Sequence, residues 1–318
     1  MAQRILFLGC SSIAVRRAIP ALRSLDPAIQ LDVASHSGKS ASVTHALSEV
    51  YNDYAEALRR SPAEVVYISL HNAAHYGWTI NSLESGRHVV VDKPAFLTLP
   101  ETERALDLAA KAGRCIAEAT TFECHSQFLQ IEHFLRTYGP LNCASAQFNV
   151  PPLPIDNFRN YAERGGGCLA DMGPYAAAVV RRFGSQNCTY LGAVSGRKHP
   201  ETGVDVGFSM LAGFADGLRI SGDFGFEGEY VNRISFLAKE ATLIINRIFS
   251  PPPDQAPEWQ INVGNESKTE AAQPDDAFRS FFARFQASID TGAYSPFAHK
   301  LFADARFRHA LRLQIETM

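Results

Sequence analysis

The sequence lacks the features of an exported, membrane-bound or nucleic-acid-binding protein. Its six cysteines include no Cys-x-x-Cys pair and lie mostly in apolar runs, which favours reduced thiols in a cytoplasmic protein. The stretch before Gly9 has one arginine and only a short apolar run, so we expect no signal peptide and no membrane anchor. A net charge of -3 with mixed signs offers no basic surface for nucleic acid. We therefore expect a small-molecule partner.

Metal ligands are also scarce at useful spacings. His71 and His75 are four residues apart, but no glutamate follows the first histidine and no third ligand stands nearby. The stretch "ECHSQF", which starts at Glu123, is similarly short of ligands. We predict that no metal is bound.

The 318 residues are enough for about two domains of ordinary size. Over the first 120 residues, short apolar runs alternate with helical patterns, as expected for parallel strands covered by helices. The runs include "RILFLG", "IQLDVAS", "EVVYISL", "RHVVVDK" and "CIAEAT", and the helical patterns cover residues 14–25, 52–61, 76–85 and 101–112. We predict an α/β domain of the Rossmann type over residues 1–121, with six parallel strands and a ligand crevice at their carboxyl ends.

After Thr121 most strand-like runs follow one another directly. They are "LNCASAQFNV", "TYLGAVSG", "VDVGFSMLAGF", "LRISGDFGFE", "NRISFLAK" and "ATLIINRIF". Turn residues between them predict antiparallel pairing. Helical patterns cover residues 172–183, 275–290 and 297–316, and "SPPPDQAP" predicts a stiff loop because proline fixes φ. We predict a C-terminal α+β domain over residues 122–318 with a large, mostly antiparallel sheet.

The first strand leads into a turn that lacks two of the three glycines of a dinucleotide-binding fingerprint. The turn reads "GCSSIA", Gly9 to Ala14, between a strand and a helix. Gly9 stands at the tight turn, and Ser11 replaces the glycine that normally lets the backbone approach a pyrophosphate. Either Ser11 and Ser12 contact a phosphate, or the turn is a plain connection in which one of them caps the helix.

The second strand ends without an acid at its tip, whereas an NAD site needs a carboxylate for the ribose hydroxyls. Asp32 lies inside the strand, three residues before Ser35. Ser35, Ser37 and Lys39 offer donors suited to a 2′-phosphate, and Arg16 or Arg17 adds a cation. The sequence favours NADP over NAD, although a solvated loop of small polar residues would leave the preference unset.

The other strand ends complete the predicted cofactor edge. "VVVDKP" places Lys93 directly after a buried-type strand, where a lysine can hold a substrate oxygen or simply extend into water. Pro94 keeps the chain from turning helical there. The predicted cofactor-binding residues are Gly9, Cys10, Ser11, Ser12, Ile13, Ser35, His36, Ser37, Lys39, Leu70, His71, Asn72, His75, Asp92 and Lys93.

A second group of candidate residues follows three glycines in "GGGCLADMGPY". Asp171 and Tyr175 are four residues apart and share one face if the helix has begun. Proline fits best in the first turn of a helix, so Pro174 predicts that Tyr175 lies near the N-terminus. A lysine cation beside the tyrosine would make it a better acid, but a capping Asp and a packed Tyr would give the same pattern.

These motifs, in this order, resemble the Gfo/Idh/MocA family of nicotinamide-dependent oxidoreductases over nearly the whole chain. "GCSSIA", "ISLHNAAH", "SGRHVVVDKP" and "GGGCLADMGPY" stand where the family has its corresponding motifs. The resemblance implies that Lys93 is the catalytic lysine and that Asp171 and Tyr175 are substrate-site residues. Asp92 replaces the usual glutamate, and Tyr175 replaces a histidine, as in nucleotide-sugar 3-ketoreductases. It also implies a substrate-binding C-terminal domain whose sheet often forms a homo-oligomer.

The sequence and the resemblance together predict an NADP-dependent oxidoreductase acting on a hydroxyl or keto group of a sugar or nucleotide-sugar-like substrate. Lys93, Tyr175 and Asp171 are the predicted catalytic residues. Alternatives are an imine reductase or another reaction on the same fold, and a non-catalytic ligand-binding accessory protein. Further candidate substrate contacts are Arg159, Tyr161, Arg164 and Arg233.

Overall fold

The computed structural model describes residues 4–36 and 47–317. The first six strands are β1 (Arg4–Leu8), β2 (Gln30–Ala34), β3 (Glu49–Tyr51), β4 (Val65–Ile68), β5 (His88–Val91) and β6 (Ile116–Glu118). They form one parallel sheet in the order β3-β2-β1-β4-β5-β6. Strands β4 and β5 are buried along their whole length, as is typical of inner strands of a parallel sheet. The predicted Rossmann-type α/β domain is confirmed.

Four helices connect these strands. A π-helical turn (Ala14–Ala18) continues into α1 (Ile19–Leu25), followed by α2 (Tyr54–Arg60), α3 (Asn72–Glu84) and α4 (Leu99–Ala112). Helix α4 starts with a capping box between Thr98 and Glu101. Helix α3 begins four residues before the predicted start at Tyr76, so His71 is its N-cap residue and not a helical neighbour of His75.

The second sheet has eight strands, two more than the sequence predicts. They are β7 (Leu141–Asn149), β8 (Cys188–Ser195), β9 (Gly207–Phe214), β10 (Arg219–Gly225), β11 (Val231–Ala238), β12 (Thr242–Asn246), β13 (Glu258–Val263) and β14 (Glu266–Ala271). Their order is β14-β13-β12-β11-β7-β10-β9-β8. All neighbours are antiparallel except β7 and β10, which are parallel. The prediction of a large, mostly antiparallel sheet is confirmed.

Helix α5 (Gln127–Tyr138) was not predicted, and helix α6 (Cys168–Phe183) begins four residues before the predicted Met172. Asp205 supplies the missing partners at the start of α6: its carbonyl accepts from Cys168 N–H at 2.8 Å, and its carboxylate accepts from Leu169 N–H at 2.5 Å. Pro174 therefore lies inside the helix, preceded by Gly173, which has no Cβ to clash with the proline ring. The prediction that Tyr175 lies near the helix N-terminus is wrong.

The chain ends with α7 (Ala277–Thr291) and α8 (Ser295–Glu316). It divides into two compact units, one made of residues up to Thr120 with Phe278–Phe302, and the other of Thr121–Ala277 with the residues from Ala303 onward. Residues 278–302, which the sequence analysis places in the second domain, thus pack with the first. The reason is aromatic packing, since Phe282 lies 5.9 Å from the ring of Tyr67 and Arg17 lies over the Phe278 ring.

Within residues 4–36 and 47–317, no helix is long and apolar enough to span a bilayer. The same residues contain no group of three or more His, Cys, Asp or Glu side chains arranged to hold a metal ion.

Candidate active site

The turn after β1 requires a glycine at its first position. Gly9 has φ +93°, and a Cβ there would overlap the carbonyl oxygen of Ser69 and lie 2.7 Å from Cδ2 of Leu70. The Gly9 N–H donates to the carbonyl of Ala34 at 2.9 Å, which ties the turn to the end of β2. The carboxyl ends of β1, β2 and β4 are therefore packed closely around the helix start, as a dinucleotide site needs.

Ser11 is the N-cap of the first helix. Its Oγ accepts from Ala14 N–H at 3.2 Å and lies 2.6 Å from Ser69 Oγ. Ser69 in turn donates its hydroxyl hydrogen to Asp92 Oδ2 at 2.6 Å. A hydroxyl has one hydrogen, so Ser11 must donate to Ser69. Of the two interpretations of this turn, the structure shows the helix cap for Ser11, and Ser12 is exposed at the start of the helix.

Asp92 is the acceptor at the end of this chain of hydroxyls. Its Oδ1 accepts from the Tyr67 hydroxyl at 2.5 Å, and Tyr67 is fully buried. Burial raises the pKa of Asp92 above its ordinary value, while the hydrogen bonds from Ser69 and Tyr67 act in the opposite direction. The aspartate that replaces the family's usual glutamate therefore accepts hydrogen bonds from two hydroxyls, those of Tyr67 on β4 and Ser69 directly after β4.

The acid of β2 lies inside the sheet and not at the tip of the strand. Asp32 is fully buried, where it accepts from Ser61 Oγ at 2.6 Å and lies 3.4 Å from Arg4 Nε. Ser35 is buried at the tip itself, and His36 is exposed with its ring 4.1 Å from that of Tyr54. Ser37 and Lys39, the other predicted 2′-phosphate contacts, lie outside the described residues.

Three more residues of the predicted set, Cys10, Ser12 and Ile13, lie between β1 and the π-helical turn, and the two candidate arginines lie within that turn. Arg16 donates to the Ser12 carbonyl and to Ser12 Oγ, both at 3.3 Å, so this pair lies at the exposed start of the helix. Arg17 lies over Phe278. Cys10 is buried, and burial raises the pKa of its thiol to about 11. Ile13 is 37% exposed.

Lys93 lies in a short segment held from two sides. Pro94, joined to Lys93 by a cis peptide bond, has its carbonyl 2.8 Å from His75 Nδ1. The next residue, Ala95, donates its N–H to Glu118 Oε2 at 2.8 Å. Glu118 is buried at the end of β6. Neighbours on α3 and β6 therefore fix the backbone that carries Lys93.

The structure does not bring every residue of this set to the open edge. His75 is fully buried, with its second ring nitrogen 3.1 Å from the Leu70 carbonyl. Burial lowers the pKa of His75, while its hydrogen bonds with the Pro94 and Leu70 carbonyls act in the opposite direction. Asn72 is also buried, whereas Leu70 is half-buried and His71 is exposed. His75 thus supports the segments carrying Leu70 and Lys93.

The glycine run before α6 is shaped by close backbone approaches. A Cβ on Gly166 would overlap the Arg159 carbonyl oxygen, and one on Gly167, at φ +106°, would overlap the Asp205 carboxylate. Gly167 N–H donates to the Arg159 carbonyl at 2.8 Å. Arg159 lies in the first of two 3-10 turns, Phe158–Asn160 and Ala162–Arg164. The run thereby packs these turns against the start of the helix.

This packing places Arg159 on Asp171. The Arg159 Nε lies 2.8 Å from Asp171 Oδ1, and the Asp171 side chain is 5% exposed. A buried carboxylate needs such a partner because an unpaired buried charge is costly. The second unit thus has a carboxylate and a guanidinium side by side at the start of α6.

Tyr175 lies one helical turn after Asp171, in an aromatic cage. Its ring centroid is 5.0 Å from Phe148, 5.4 Å from Phe249 and 5.6 Å from Phe122. The side chain as a whole is half-buried. Rings in these tilted and edge-to-face contacts hold a tyrosine in one orientation. The cage therefore fixes the ring that carries the candidate proton donor.

The remaining candidate substrate contacts are dispersed over the second unit. Arg164 lies over the ring of Tyr161, next to the second 3-10 turn. Arg233 lies on β11 and donates from Nε to Gln147 Oε1 at 2.7 Å. Of the four, only Arg159 is ion-paired with a predicted catalytic residue.

Sequence reasoning missed Tyr67, Ser69, Tyr54 and Glu118. A signal was available for Tyr67 and Ser69. They are hydroxyl residues at positions i and i+2 of an apolar strand, so their side chains are expected on the same face. Glu118 carried a weaker signal as an acid at the end of an otherwise apolar strand. Tyr54 could not be found, because its contact with His36 joins separate segments.

The parallel sheet, the glycine turn and the strand-end residues define a dinucleotide-binding Rossmann oxidoreductase. A sequence model of the oxidoreductase family with an NAD-binding Rossmann fold matches residues 3–120, and one of the Gfo/Idh/MocA C-terminal domain matches residues 136–244. The chain belongs to the Gfo/Idh/MocA oxidoreductase family, which confirms the resemblance seen in its motifs.

Similar proteins carry closely related names. A dTDP-3,4-didehydro-2,6-dideoxy-alpha-D-glucose 3-reductase of Streptomyces violaceoruber is 30% identical over 91% of this chain and 85% of its own length. The protein of the same name from Saccharopolyspora spinosa is 31% identical over 91% and 88%. A solved 3-ketoreductase from Actinomadura kijaniata, in complex with NADP and TDP-benzene, has a TM-score of 0.92 at 26% identity and covers 99% of this chain and 98% of its own.

Proposed function

We propose that the protein uses NADP to interconvert a hydroxyl and a keto group on a sugar or nucleotide-linked sugar. The observation that carries the proposal is Tyr175, fixed by its aromatic cage one turn after the Arg159-paired Asp171, on a chain that also has a Rossmann glycine turn. The relatives named as 3-reductases support the reaction class, and the solved complex with NADP supports the cofactor.

The residues at the strand ends fit a dinucleotide. Gly9 leaves a cradle that a Cβ would fill, and the first helix points its N-terminus there. With Asp32 already paired inside the sheet, no carboxylate at the tip of β2 would repel a 2′-phosphate. We assign Gly9, Cys10, Ser12 and Ile13 to the pyrophosphate turn, with Arg16 as an added cation. Ser35 and His36 are assigned to the adenosine end, together with Ser37 and Lys39.

When bound, NADPH supplies a hydride for the carbonyl carbon of the substrate. Tyr175 gives its hydroxyl proton to the carbonyl oxygen in the reducing direction and takes it back in the oxidising direction. Lys93 donates a hydrogen bond to the same oxygen and stabilises its developing negative charge. Asp171, held by Arg159, accepts from a neighbouring substrate hydroxyl and orients the sugar. Leu70 and His71 are assigned to the cofactor edge at the end of β4, whereas Asn72, which is buried, is not.

Two substitutions test these roles. Lys93→Met and Tyr175→Phe should each lower kcat for a keto sugar by roughly a hundredfold to ten-thousandfold, the usual contribution of a positioned proton donor or oxyanion donor. NADPH affinity, measured by fluorescence titration, should change by less than about threefold in Tyr175→Phe. Turnover within a few-fold of the parent in both variants would show that the roles are wrongly assigned.

The cofactor and the reaction class have separate tests. We expect NADPH to bind at least tenfold more tightly than NADH, the order of effect given by one charged hydrogen bond. Failure to bind either dinucleotide would exclude the proposed reaction. Binding without turnover of any keto sugar would favour the accessory-protein alternative, and NADPH consumption with imines alone would favour imine reduction.

We also propose a cytoplasmic homo-oligomer that forms through the second sheet, on the open face that carries Tyr190, Val194 and Leu211. Cys10, Cys115, Cys143 and Cys188 carry free thiols, as in a reducing compartment. Large apolar side chains on that open face, which include Tyr190 and Leu211, are exposed.

A further inference from the structure

The carboxylate of Asp92, directly before Lys93 in the chain, is hydrogen-bonded on both of its oxygens. The Tyr67 hydroxyl donates to one oxygen at 2.5 Å, and the Ser69 hydroxyl donates to the other at 2.6 Å. Hydrogen bonds to an ionised oxygen are stronger than those between neutral groups. The two donors therefore favour the ionised form of Asp92.

Tyr67 acts as a donor throughout the neutral pH range. Its side chain is fully buried on β4, and its ring is stacked on Phe7 at 4.9 Å. Burial raises the pKa of Tyr67 well above its ordinary value, and the charge of Asp92 raises it further. The phenol therefore keeps its proton and directs it to the carboxylate.

Ser69 is oriented in the same sense by the turn after β1. Its oxygen receives the Ser11 hydroxyl at 2.6 Å, and the Ser11 oxygen accepts from Ala14 N–H at 3.2 Å. A hydroxyl that accepts one hydrogen bond becomes a stronger donor in the next. The chain that starts at the first helix thus ends on Asp92, with its hydroxyl hydrogens directed towards the carboxylate.

The charge of Asp92 depends on a balance between burial and its neighbours. Burial raises the pKa of Asp92 and is the largest effect. The hydrogen bonds from Ser69 and Tyr67 oppose it most strongly, followed by the charges of His75 on α3 and of Lys93. Loss of either hydroxyl would therefore shift the balance towards the protonated form.

The charge of Asp92 also acts on the lysine. Because a Coulomb attraction belongs to both charges, an ionised Asp92 attracts the Lys93 ammonium as strongly as Lys93 stabilises the carboxylate. Glu118, on the neighbouring strand β6, accepts from Ala95 N–H at 2.8 Å and from the Thr120 hydroxyl. The position of the Lys93 side chain therefore responds to the protonation of Asp92.

We propose that Tyr67 and Ser69 are positioning residues of the reaction, which hold Asp92 as an ionised carboxylate and thereby keep the Lys93 ammonium in place to bind the substrate oxygen. The inference rests on the proposed function, because it gives the hydroxyl chain a part in the reaction through Lys93. A chain that only stabilised the fold would leave the pH dependence of the rate unchanged.

Infrared titration of the NADP-loaded protein measures the charge of Asp92 directly. The C=O band of a protonated carboxyl that is present in the parent and absent from Asp92→Asn belongs to Asp92. Ser69→Ala and Tyr67→Phe each remove one donor to the ionised form, so the midpoint of this band should move to higher pH by about 1–2 pH units. An unchanged midpoint in both variants would overturn the inference.

Turnover should follow the same titration. With saturating NADPH and a 3-keto glucoside, kcat of the parent should fall as the pH drops through the Asp92 midpoint, and in both variants this fall should begin at higher pH by the same shift. His75 cannot cause this change, because a neutral Asp92 would lower the pKa of His75 and move its titration to lower pH. Asp92→Asn should lack this fall and have a kcat lowered about tenfold or more at pH 7.

Tyr51→Phe and Ser82→Ala are the matched controls. Tyr51 is a buried tyrosine of the same sheet, on β3, and Ser82 is a buried serine whose hydroxyl donates to the Trp78 carbonyl at 2.7 Å within α3. Neither hydroxyl is bonded to Asp92, so both variants should titrate and turn over like the parent. Equal shifts in the controls would show that the loss of any buried hydroxyl in this unit changes the charge of Asp92, and would overturn the assignment.

The two measurements separate this inference from the proposed function. If the parent reduces a keto sugar but kcat of Ser69→Ala and Tyr67→Phe does not follow the Asp92 midpoint, the positioning role is wrong and the reaction stands. If the midpoint shifts as expected but the parent reduces no keto sugar, the hydroxyls do hold the charge of Asp92 and the proposed reaction is wrong.

Discussion

Gly9 is the one position of the incomplete glycine fingerprint where the backbone requires a glycine. Two of the usual three glycines are absent, yet the remaining one has positive φ and packs against the Ser69 carbonyl, where no side chain fits. The sequence alone predicts this position, because it follows a strand and precedes a helix. It could not decide the role of Ser11, whose partner Ser69 lies 58 residues further along the chain.

We expect Gly9→Ala to lower the free energy of unfolding by about 2 kcal/mol or more, since it combines positive φ with overlap of a backbone oxygen. NADPH affinity should fall at least tenfold. Gly77→Ala is the control: Gly77 lies within α3, and a Cβ there meets nothing within 4 Å. It should raise stability by about 0.4–1 kcal/mol. Urea denaturation measures both, and equal stabilities of the two variants would contradict the steric account.

Asp92 provides a second test at the scale of a residue. An asparagine there can still accept from Tyr67 and can donate to Ser69, which reverses the direction of the hydroxyl chain without breaking it. We therefore expect Asp92→Asn to cost less than about 1 kcal/mol of stability. Asp92→Leu leaves the buried Tyr67 hydroxyl without its acceptor and should cost about 1–3 kcal/mol. Equal losses by urea denaturation would exclude the hydrogen-bond chain as the reason for an aspartate here.

At the scale of elements, the predictions failed where partners are distant or patterns are weak. Helix α6 starts early because Asp205, 37 residues after Cys168, accepts its first N–H groups, which no local reading of "GGGCLADMGPY" reveals. Strand β14 was missed because all its residues are exposed and it has no apolar alternation. Helix α5 did carry a signal, since Phe128, Ile131 and Phe134 recur at helical spacing and are buried.

Strand β5 begins with a histidine whose protonation should affect stability. His88 Nδ1 accepts from Cys115 N–H at 2.9 Å just before β6, and burial, aided by the charge of Arg114, lowers its pKa to about 4. The unfolded chain has the ordinary value near 6.5 and binds the proton first as the pH falls. This contribution to stability is therefore full above pH 6.5 and is lost as the pH falls towards 4.

His88→Asn keeps an acceptor near Nδ1 but does not titrate. Between pH 7 and pH 5, the parent should lose about 1–2 kcal/mol more stability than this variant, as measured by urea denaturation at each pH. His75 and His125, whose pKa values burial also lowers, remain in both proteins and cancel in the comparison. Parallel pH profiles for the two proteins would show that His88 is not the group responsible.

At the scale of the whole molecule, the second sheet has one face covered and one face open. Along β7, β9 and β11, alternate residues such as Ala146, Met210 and Ile234 lie in the core, and the residues between them face outward. This alternation is present in the sequence and is typical of an antiparallel sheet with one covered face, although our sequence analysis predicted only a large, mostly antiparallel sheet. The sequence does not show what covers the open face. A face that binds a second copy and a face exposed to water differ only in how their apolar residues cluster in space.

The apolar residues of the open face do cluster, at the edge formed by β8 and β9. Tyr190 and Val194 are 57% and 52% exposed, and Leu211, paired across the strands with Gly192, is 42% exposed. A self-complementary patch on a sheet favours a twofold dimer.

If the proposed oligomer uses this patch, Val194→Lys and Leu211→Lys should each shift the protein to monomer in light scattering at micromolar concentration, with NADPH affinity unchanged. Leu313→Lys, at a 46% exposed leucine of α8, should leave the assembly intact. A parent that stays monomeric at every concentration would contradict the proposed oligomer. A Leu313→Lys variant that dissociates to the same extent would show that the interface is not confined to this patch.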